Sequence, residues 1–349
     1  MPTVAMIREQ SEGERRVALT PETCKKLIAK KMQVTIEAGA GLSAGYSDSD
    51  YEGASIVSDA SAVLAQADVL ICVQAPSVSI LPHLKQNGII IGALAPHRSQ
   101  ALMPIYFEKQ HSAFALEKLP RTTRAQAMDV LSSQAGMAGY KAVLIAAQLA
   151  PRFFPMLTTA AGTIRPSKVL IIGAGVAGLQ AIATAKRLGA QVEGFDVRPE
   201  TREQIESLGG KFLDLGVSAA GEGGYARALT DEERALQQER LAAHLKSVDV
   251  IVTTAAIPGR PAPKIITEAM VHGMRRGSVI VDLAAETGGN CALTVPGENT
   301  DINGVLVAGP LDLASMGAVH ASEMFARNAF NFLSLMIVEP GQLKIPFDD

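Results

Sequence analysis

The stretch from Lys168 to Arg198, KVLIIGAGVAGLQAIATAKRLGAQVEGFDVR, constrains the fold of this chain more than any other. Val169 to Ile172 is a short apolar run of the kind that makes a buried parallel strand, and Gly173, Gly175 and Gly178 follow it as G-x-G-x-x-G. The first glycine permits a tight turn, and the second lets the backbone approach a pyrophosphate. The third lets the next helix, expected over Val176 to Leu188, pack close to the strand. Ala174 and Val176 lie within the same turn, and the helix N-terminus faces the phosphates. Gly189 closes the helix, and Gln191 to Phe195 reads as the following strand. Asp196 stands at its end, about 20 residues beyond the turn, as a dinucleotide fingerprint requires. A carboxylate there binds ribose hydroxyls and repels a 2'-phosphate. That favours NAD(H), while Arg198 two positions later keeps NADP(H) open.

A membrane span is the competing reading, because residues 169 to 185 carry no charge. The run is short for the about 20 residues of a spanning helix, glycines crowd its start, and Gln180 and Thr184 interrupt it. Strand, turn and helix account for it better.

A chain of 349 residues is comfortable for two domains, and 48% hydrophobic with 19% charged residues describes a globular protein with a large core. A net charge of -3 gives no general electrostatic reason to bind nucleic acid or an anionic membrane. Cys24, Cys72 and Cys291 are an odd, sparse set without C-x-x-C pairing, so neither a disulfide framework nor a zinc site is expected, and a reducing compartment fits. The start, MPTVAMIREQSEGERR, lacks an apolar signal core and mixes acids with bases, which argues against a signal or transit peptide.

Along the first 120 residues short apolar runs alternate with helical patterns: Thr3 to Ile7, a helix over Glu22 to Lys31, Gln33 to Glu37, a helix over Ala60 to Gln66, Val69 to Val73, and Gly88 to Leu94. That alternation is the signature of βαβ units and a parallel sheet. Thr20-Pro21-Glu22 offers an N-cap with proline at the first helical position. This half has no glycine fingerprint and reads as a second α/β domain. Asp129 to Leu149 reads as a long alanine-rich helix closed by Pro151. Val248 to Thr253, Ser278 to Asp282 and Val305 to Ala308 read as further buried strands, and His320 to Val338 as a helix on a core. Gly216 to Asp231 is rich in glycine and alanine around Tyr225, and is either a lid or a surface connection.

Polar residues concentrate in Arg121-Thr-Thr-Arg124-Ala-Gln126-Ala-Met-Asp129-Val-Leu-Ser132. A helix beginning near Gln126 places Asp129 and Ser132 three apart on one face, able to point into one cleft. Alternatively Arg124 and Asp129 are surface ion partners and Gln126 merely starts the helix.

Several segments recur together in one family: REQSEGERRVALTP, RAQAMDVLSSQAGMAGYKAV, VLIIGAGVAGLQAIATAKRLGA, FDVRPE, GGYA, TTAAIPGRPAP and VDLAAETGGNCALT. Through them the chain resembles, nearly end to end, the NAD(H)-binding component (domain I or alpha subunit) of proton-translocating nicotinamide nucleotide transhydrogenase. The resemblance implies an α/β protein of two Rossmann-like domains with parallel sheets, joined by long helices, with NAD in the cleft of the second domain. The expected domains are 1–134 plus 312–349, a scaffold with dimer contacts, and 135–311, the nucleotide-binding domain with a mobile loop at about 216–231. By similarity Arg121, Gln126, Asp129 and Ser132 surround the nicotinamide. Gly173, Ala174, Gly175, Val176, Gly178, Asp196, Val197, Arg198, Gly224, Tyr225, Gln237 and Ala256 hold the rest of the nucleotide. The implied reaction is direct hydride transfer from NADH here to NADP+ on a partner component, coupled to proton translocation by a membrane component. A homodimer on the cytoplasmic face of the plasma membrane, held there through its partner, is likewise implied.

The related alanine dehydrogenases share the N-terminal motif, and Arg16 fits their substrate-binding arginine. Reductive amination needs proton transfers, and that family uses a lysine after the third strand and a histidine after the fourth. Here those places read Val73-Gln74-Ala75-Pro76 and Ala93-Leu94-Ala95-Pro96, with His97 just beyond. A non-catalytic NAD-binding protein is the third reading.

Overall fold

The computed structural model describes residues 1–219, 227–256 and 261–346. The chain divides into two compact units, Met1–Gln134 with Ala314–Asp349, and Ala135–Leu313.

In the first unit, β1 (Thr3–Met6) leads to α1 (Pro21–Ala29) and β2 (Gln33–Glu37). Then come β3 (Ser55–Val57), α2 (Ala60–Gln66), β4 (Val69–Gln74), β5 (Ile89–Ala93), α3 (Met103–Glu108) and β6 (Ser112–Ala115). Thr20 caps α1 as expected, its hydroxyl accepting from the Thr23 amide with Pro21 in the first turn. Among the described residues the strand order is β3-β2-β1-β4-β5-β6, with every pairing parallel. Side chains alternate across this doubly wound sheet: Val69, Ile71 and Val73 of β4 join one core with Leu27 and Phe325, while Leu70 and Cys72 join another with Val63 and Leu64. Burial on both faces is why these strands read as unbroken apolar runs. The edge strands β3 and β6 are short and partly exposed, and carry no such run.

Helix α4 (Val130–Leu149) starts in the first unit and ends in the second. It begins one residue later than expected, and Arg124–Met128 before it is a 3-10 turn rather than the start of the helix. The reason is local. Asp129 is extended (φ -76°, ψ 90°) and caps α4, accepting from the Ser132 amide at 2.9 Å and the Ser132 hydroxyl at 2.5 Å.

The second unit opens on a hairpin of β7 (Leu157–Thr159) and β8 (Gly162–Ile164) that the sequence did not announce. It continues through β9 (Lys168–Ile172), α5 (Val176–Arg187), β10 (Gln191–Phe195), α6 (Thr201–Ser207) and β11 (Lys211–Phe212). After these come α7 (Asp231–Leu245), β12 (Val250–Thr253), α8 (Glu268–His272), β13 (Val279–Asp282), β14 (Asn299–Ile302) and β15 (Val305–Ala308). Among the described residues the order is β11-β10-β9-β12-β13-β15-β14, parallel except for the antiparallel edge strand β14. Gly139 of α4 lies so close to the first turn of α5 that a Cβ would fall 2.0 Å from the Ala177 carbonyl oxygen.

The chain closes with α9 (Ala318–Ser334) in the first unit, then a hairpin of β16 (Ile337–Glu339) and β17 (Gln342–Leu343). The helix expected to Val338 therefore ends at Ser334. Beta-branched Ile337 and Val338, followed by Pro340 and Gly341 at φ 80°, favour a strand and turn there. Cys24, Cys72 and Cys291 are free and at most 3% exposed. Among the described residues no helix is long and apolar enough to cross a membrane.

Candidate functional site

The second sheet reverses direction between β9 and β12, and in doubly wound sheets ligands bind at the carboxyl ends of the strands flanking such a switch. The glycine turn occupies that place. Gly173, at φ 97°, donates to the Phe195 carbonyl at 2.8 Å. Gly178 sits so near that a Cβ would lie 1.7 Å from the Gly173 carbonyl oxygen, which no side chain tolerates. Gly175 differs: it is the N-cap of α5 in ordinary extended backbone, and a Cβ there would meet nothing within 4 Å. Space before the helix N-terminus is thus open, as a pyrophosphate needs, and Val176 beside it is exposed.

Asp196 follows β10 and is 8% exposed. Its carboxylate accepts from the Ala174 amide at 2.8 Å, tying the acid to the turn, and from the Arg198 amide and guanidinium at 2.7 to 3.0 Å. Burial raises its pKa, but the Arg198 guanidinium and these N–H groups more than offset that and hold the carboxyl below its usual range. The acid and Arg198 are thus one ion pair at the turn. The neighbouring Val197 carbonyl accepts from the Ala219 amide at 2.7 Å.

The wall across the switch point follows β12. The Thr254 hydroxyl donates to the Gly173 carbonyl at 3.0 Å, and Ala255 leads to exposed Ala256. Gln237 of α7 is 6% exposed with its Oε1 lacking a hydrogen-bond partner among the described residues. Gly224 and Tyr225, and most of the expected lid, lie outside the described residues. Two buried side chains here escaped sequence reasoning. Asp282, 0% exposed, accepts from the Thr253 and Thr294 hydroxyls and the Ala284 and Cys291 amides. Asn290 bonds to Ala255 and Pro263. Both lie in VDLAAETGGNCALT, the segment that signalled them only as a block.

Arg121, Gln126, Asp129 and Ser132 belong to the first unit. Arg121 and Gln126 are exposed, whereas Asp129 and Ser132 spend their polar atoms on each other at the α4 cap, so the reading in which both point freely into a cleft is corrected. The 3-10 turn is strapped to α9: the Asn328 and Asn331 amides both donate to the Ala127 carbonyl, at 2.8 and 3.0 Å, immediately beside Gln126.

The first sheet has its own switch point, between β1 and β4, and fills it with its own acids. Glu9 accepts from the Val73 and Gln74 amides at 2.6 and 3.1 Å, and Glu117 takes the Leu94 and Ala95 amides after β5. Glu14 pairs with the Arg16 guanidinium at 2.6 Å and accepts from the Gln74 carboxamide at 2.7 Å, while Arg16 also donates to Gln134. Strand-end amides that would meet an anion are satisfied internally. His97 is exposed.

A doubly wound sheet with an open glycine turn and a turn-bound carboxylate defines an NAD(H)-binding protein of the oxidoreductase class. The chain belongs to the alanine dehydrogenase/PNT family: the N-terminal domain model matches residues 5–138 and the C-terminal domain model residues 142–349. It is 44% identical over 342 residues to an NAD(P) transhydrogenase subunit alpha chain of Rhodospirillum rubrum, covering 95% of this chain and 89% of that one. The crystal structure of transhydrogenase from Sinorhizobium meliloti superposes with a TM-score of 0.90 at 40% identity, over 99% of this chain and 95% of that one. Alanine dehydrogenase 1 of Staphylococcus aureus is a more distant relative, 30% identical over 294 residues, 82% of this chain and 73% of that one.

Proposed function

We propose that this protein is the NAD(H)-binding component of a proton-translocating transhydrogenase. Hydride passes directly from NADH held here to NADP+ held on a partner component, and a membrane-spanning component couples the transfer to proton movement. The observation that carries this over amino-acid oxidation is Gln74. It stands where the dehydrogenases use a lysine, and its carboxamide is engaged with Glu14. Transfer between two nicotinamides moves no proton at the reacting carbons, so no general acid or base is required, and rate comes from holding those carbons in near-attack geometry.

The chain's residues divide that work. Gly173 to Gly178 present backbone amides and the N-terminus of α5 to the pyrophosphate, and Asp196 with Arg198 meets the ribose. Ala256 lines the adenosine side, and Gln237, with its unused Oε1, lies near the nucleotide. Arg121, Gln126, Asp129 and Ser132 orient the nicotinamide, with Gln126 nearest the acceptor. The Gly224–Tyr225 segment closes over the site as a lid. The protein acts as a homodimer, peripheral on the cytoplasmic face of the membrane through its partner.

The test is to mix this chain with the NADP(H)-binding component and follow exchange between NADH and an NADP+ analogue. No exchange with a competent partner would sink the proposal. Robust alanine-dependent NADH production would favour the dehydrogenase.

A further inference from the structure

Asn290 is wholly buried, and its carboxamide is fully used by backbone far away in sequence. Its Oδ1 accepts from the Ala255 amide at 3.0 Å, while its Nδ2 donates to the Ala255 carbonyl at 2.7 Å and the Pro263 carbonyl at 2.9 Å. Its own carbonyl accepts from the Ile265 and Ile266 amides at 2.8 and 3.0 Å. One residue therefore ties together the chain on both sides of the segment that follows Ala256.

Only a carboxamide of this length does this. An aspartate would aim lone pairs at two carbonyls, and a serine supplies one donor where two are used. Asn290 is itself held from below, because Asp282 accepts from the next amide, Cys291, at 2.9 Å. Gly289, at φ 78°, passes so close that a Cβ would lie 2.7 Å from the Asp282 carboxylate.

The clamp reaches the nucleotide turn in one further step. Ala255 follows Thr254, whose hydroxyl donates to the Gly173 carbonyl, and a Cβ on Gly173 would fall 2.7 Å from that hydroxyl. Chain displacement at Ala255 is therefore displacement at the base of the turn.

We propose that Asn290 is a positioning residue for dinucleotide binding, fixing Ala255 and Thr254 against the glycine turn without touching the ligand. The inference rests on the NAD(H) site proposed above. Since the lost geometry lies at the turn, it affects every ligand that carries the pyrophosphate.

The experiment titrates wild type, Asn290→Ser and Asn290→Asp with NADH and with ADP-ribose, below their thermal transitions. The control is Phe154→Ala, a core substitution whose backbone bonds Ser167 at the end of β9 opposite the turn. In folded Asn290 variants both ligands are expected to weaken by the same factor, on the order of tenfold or more, and in Phe154→Ala neither by more than about twofold. Asn290→Ser, which keeps one donor, is expected to lose less than Asn290→Asp and serves if the latter fails to fold. Unchanged affinity in the serine variant overturns the inference. So does an equal loss in Phe154→Ala, which would make the effect one of stability alone, and so does a loss seen with NADH but not with ADP-ribose. If the wild type binds no NADH, the NAD(H) reading falls and takes the inference with it; normal wild-type binding with unaltered variants overturns the inference alone.

Discussion

Gly175→Ala separates binding from folding at the turn. The residue sits at φ -78° and ψ -169°, where alanine is unstrained, and its Cβ would meet nothing within 4 Å. Alanine is a poorer N-cap than glycine by some tenths of a kcal/mol, while the less flexible unfolded chain returns about 0.4–1 kcal/mol. The net change in stability is within about 0.5 kcal/mol, a shift in Tm of roughly 2 °C at most for a unit of this size. Affinity behaves otherwise, because the new methyl occupies the space through which a pyrophosphate reaches the backbone amides. Losing one or two amide bonds to a charged group removes about 2–5 kcal/mol, a rise in Kd of roughly thirtyfold to several thousandfold. Nicotinamide fluorescence reports this directly, since the chain has no tryptophan to compete. Gly178→Ala is the contrasting case. Its Cβ would lie 1.7 Å from the Gly173 oxygen where about 3.4 Å is ordinary contact, so turn and helix must part by about 1.7 Å, and overpacking of about 1–3 kcal/mol lowers Tm along with affinity. NADH binding within about threefold of wild type in folded Gly175→Ala would refute the placement of the pyrophosphate at this turn.

Three further outcomes are expected. Gln126→Asn slows hydride transfer strongly while NADH affinity stays within a few-fold, because orientation is lost before binding; stopped-flow transfer with equilibrium titration checks it, and a pure affinity defect contradicts it. Asp196→Ala weakens NADH by roughly 10–100-fold and, by freeing Arg198 from its acid partner, narrows the preference for NADH over NADPH; parallel titrations decide, and unchanged NADH affinity would place the ribose elsewhere. Burial raises the Glu9 carboxyl from 4.5 to about 7 despite the Val73 and Gln74 amides, with Glu14 adding to the rise and Arg16 opposing it. A raised carboxyl pKa makes the folded state bind protons more tightly than the unfolded one. The stabilisation is therefore complete below pH 4.5 and lost as pH climbs through 7, by about 3 kcal/mol at most. Glu9→Gln should flatten the Tm profile between those pH values, and an identical profile in both proteins would refute it.

The glycine turn was legible because every part of it is local: apolar strand, three glycines, capped helix and acid sit within one stretch of sequence. Asp129 was half legible. Its spacing to Ser132 is a helix-cap signature, but RAQAM has such good helix formers that the boundary was read too early, and the side chains looked free when they bond each other. The edge strands β3 and β6 and the β7–β8 hairpin lack the two-sided burial that marks central strands. Asn290 was illegible for a different reason. Its partners lie 35 and 27 residues away, and no periodicity encodes a bond between a buried carboxamide and distant backbone.

The three sealed cysteines turn this protein into its own reporter. Burial pushes the Cys24 thiol up to about 11 and raises Cys72 and Cys291 as well, so at neutral pH the folded chain offers almost no thiolate to an alkylating reagent. A single cysteine engineered on the surface would be labelled alone, without first removing the native ones. Labelling of the native thiols would in turn time the opening of each unit separately, Cys24 and Cys72 for the first and Cys291 for the second.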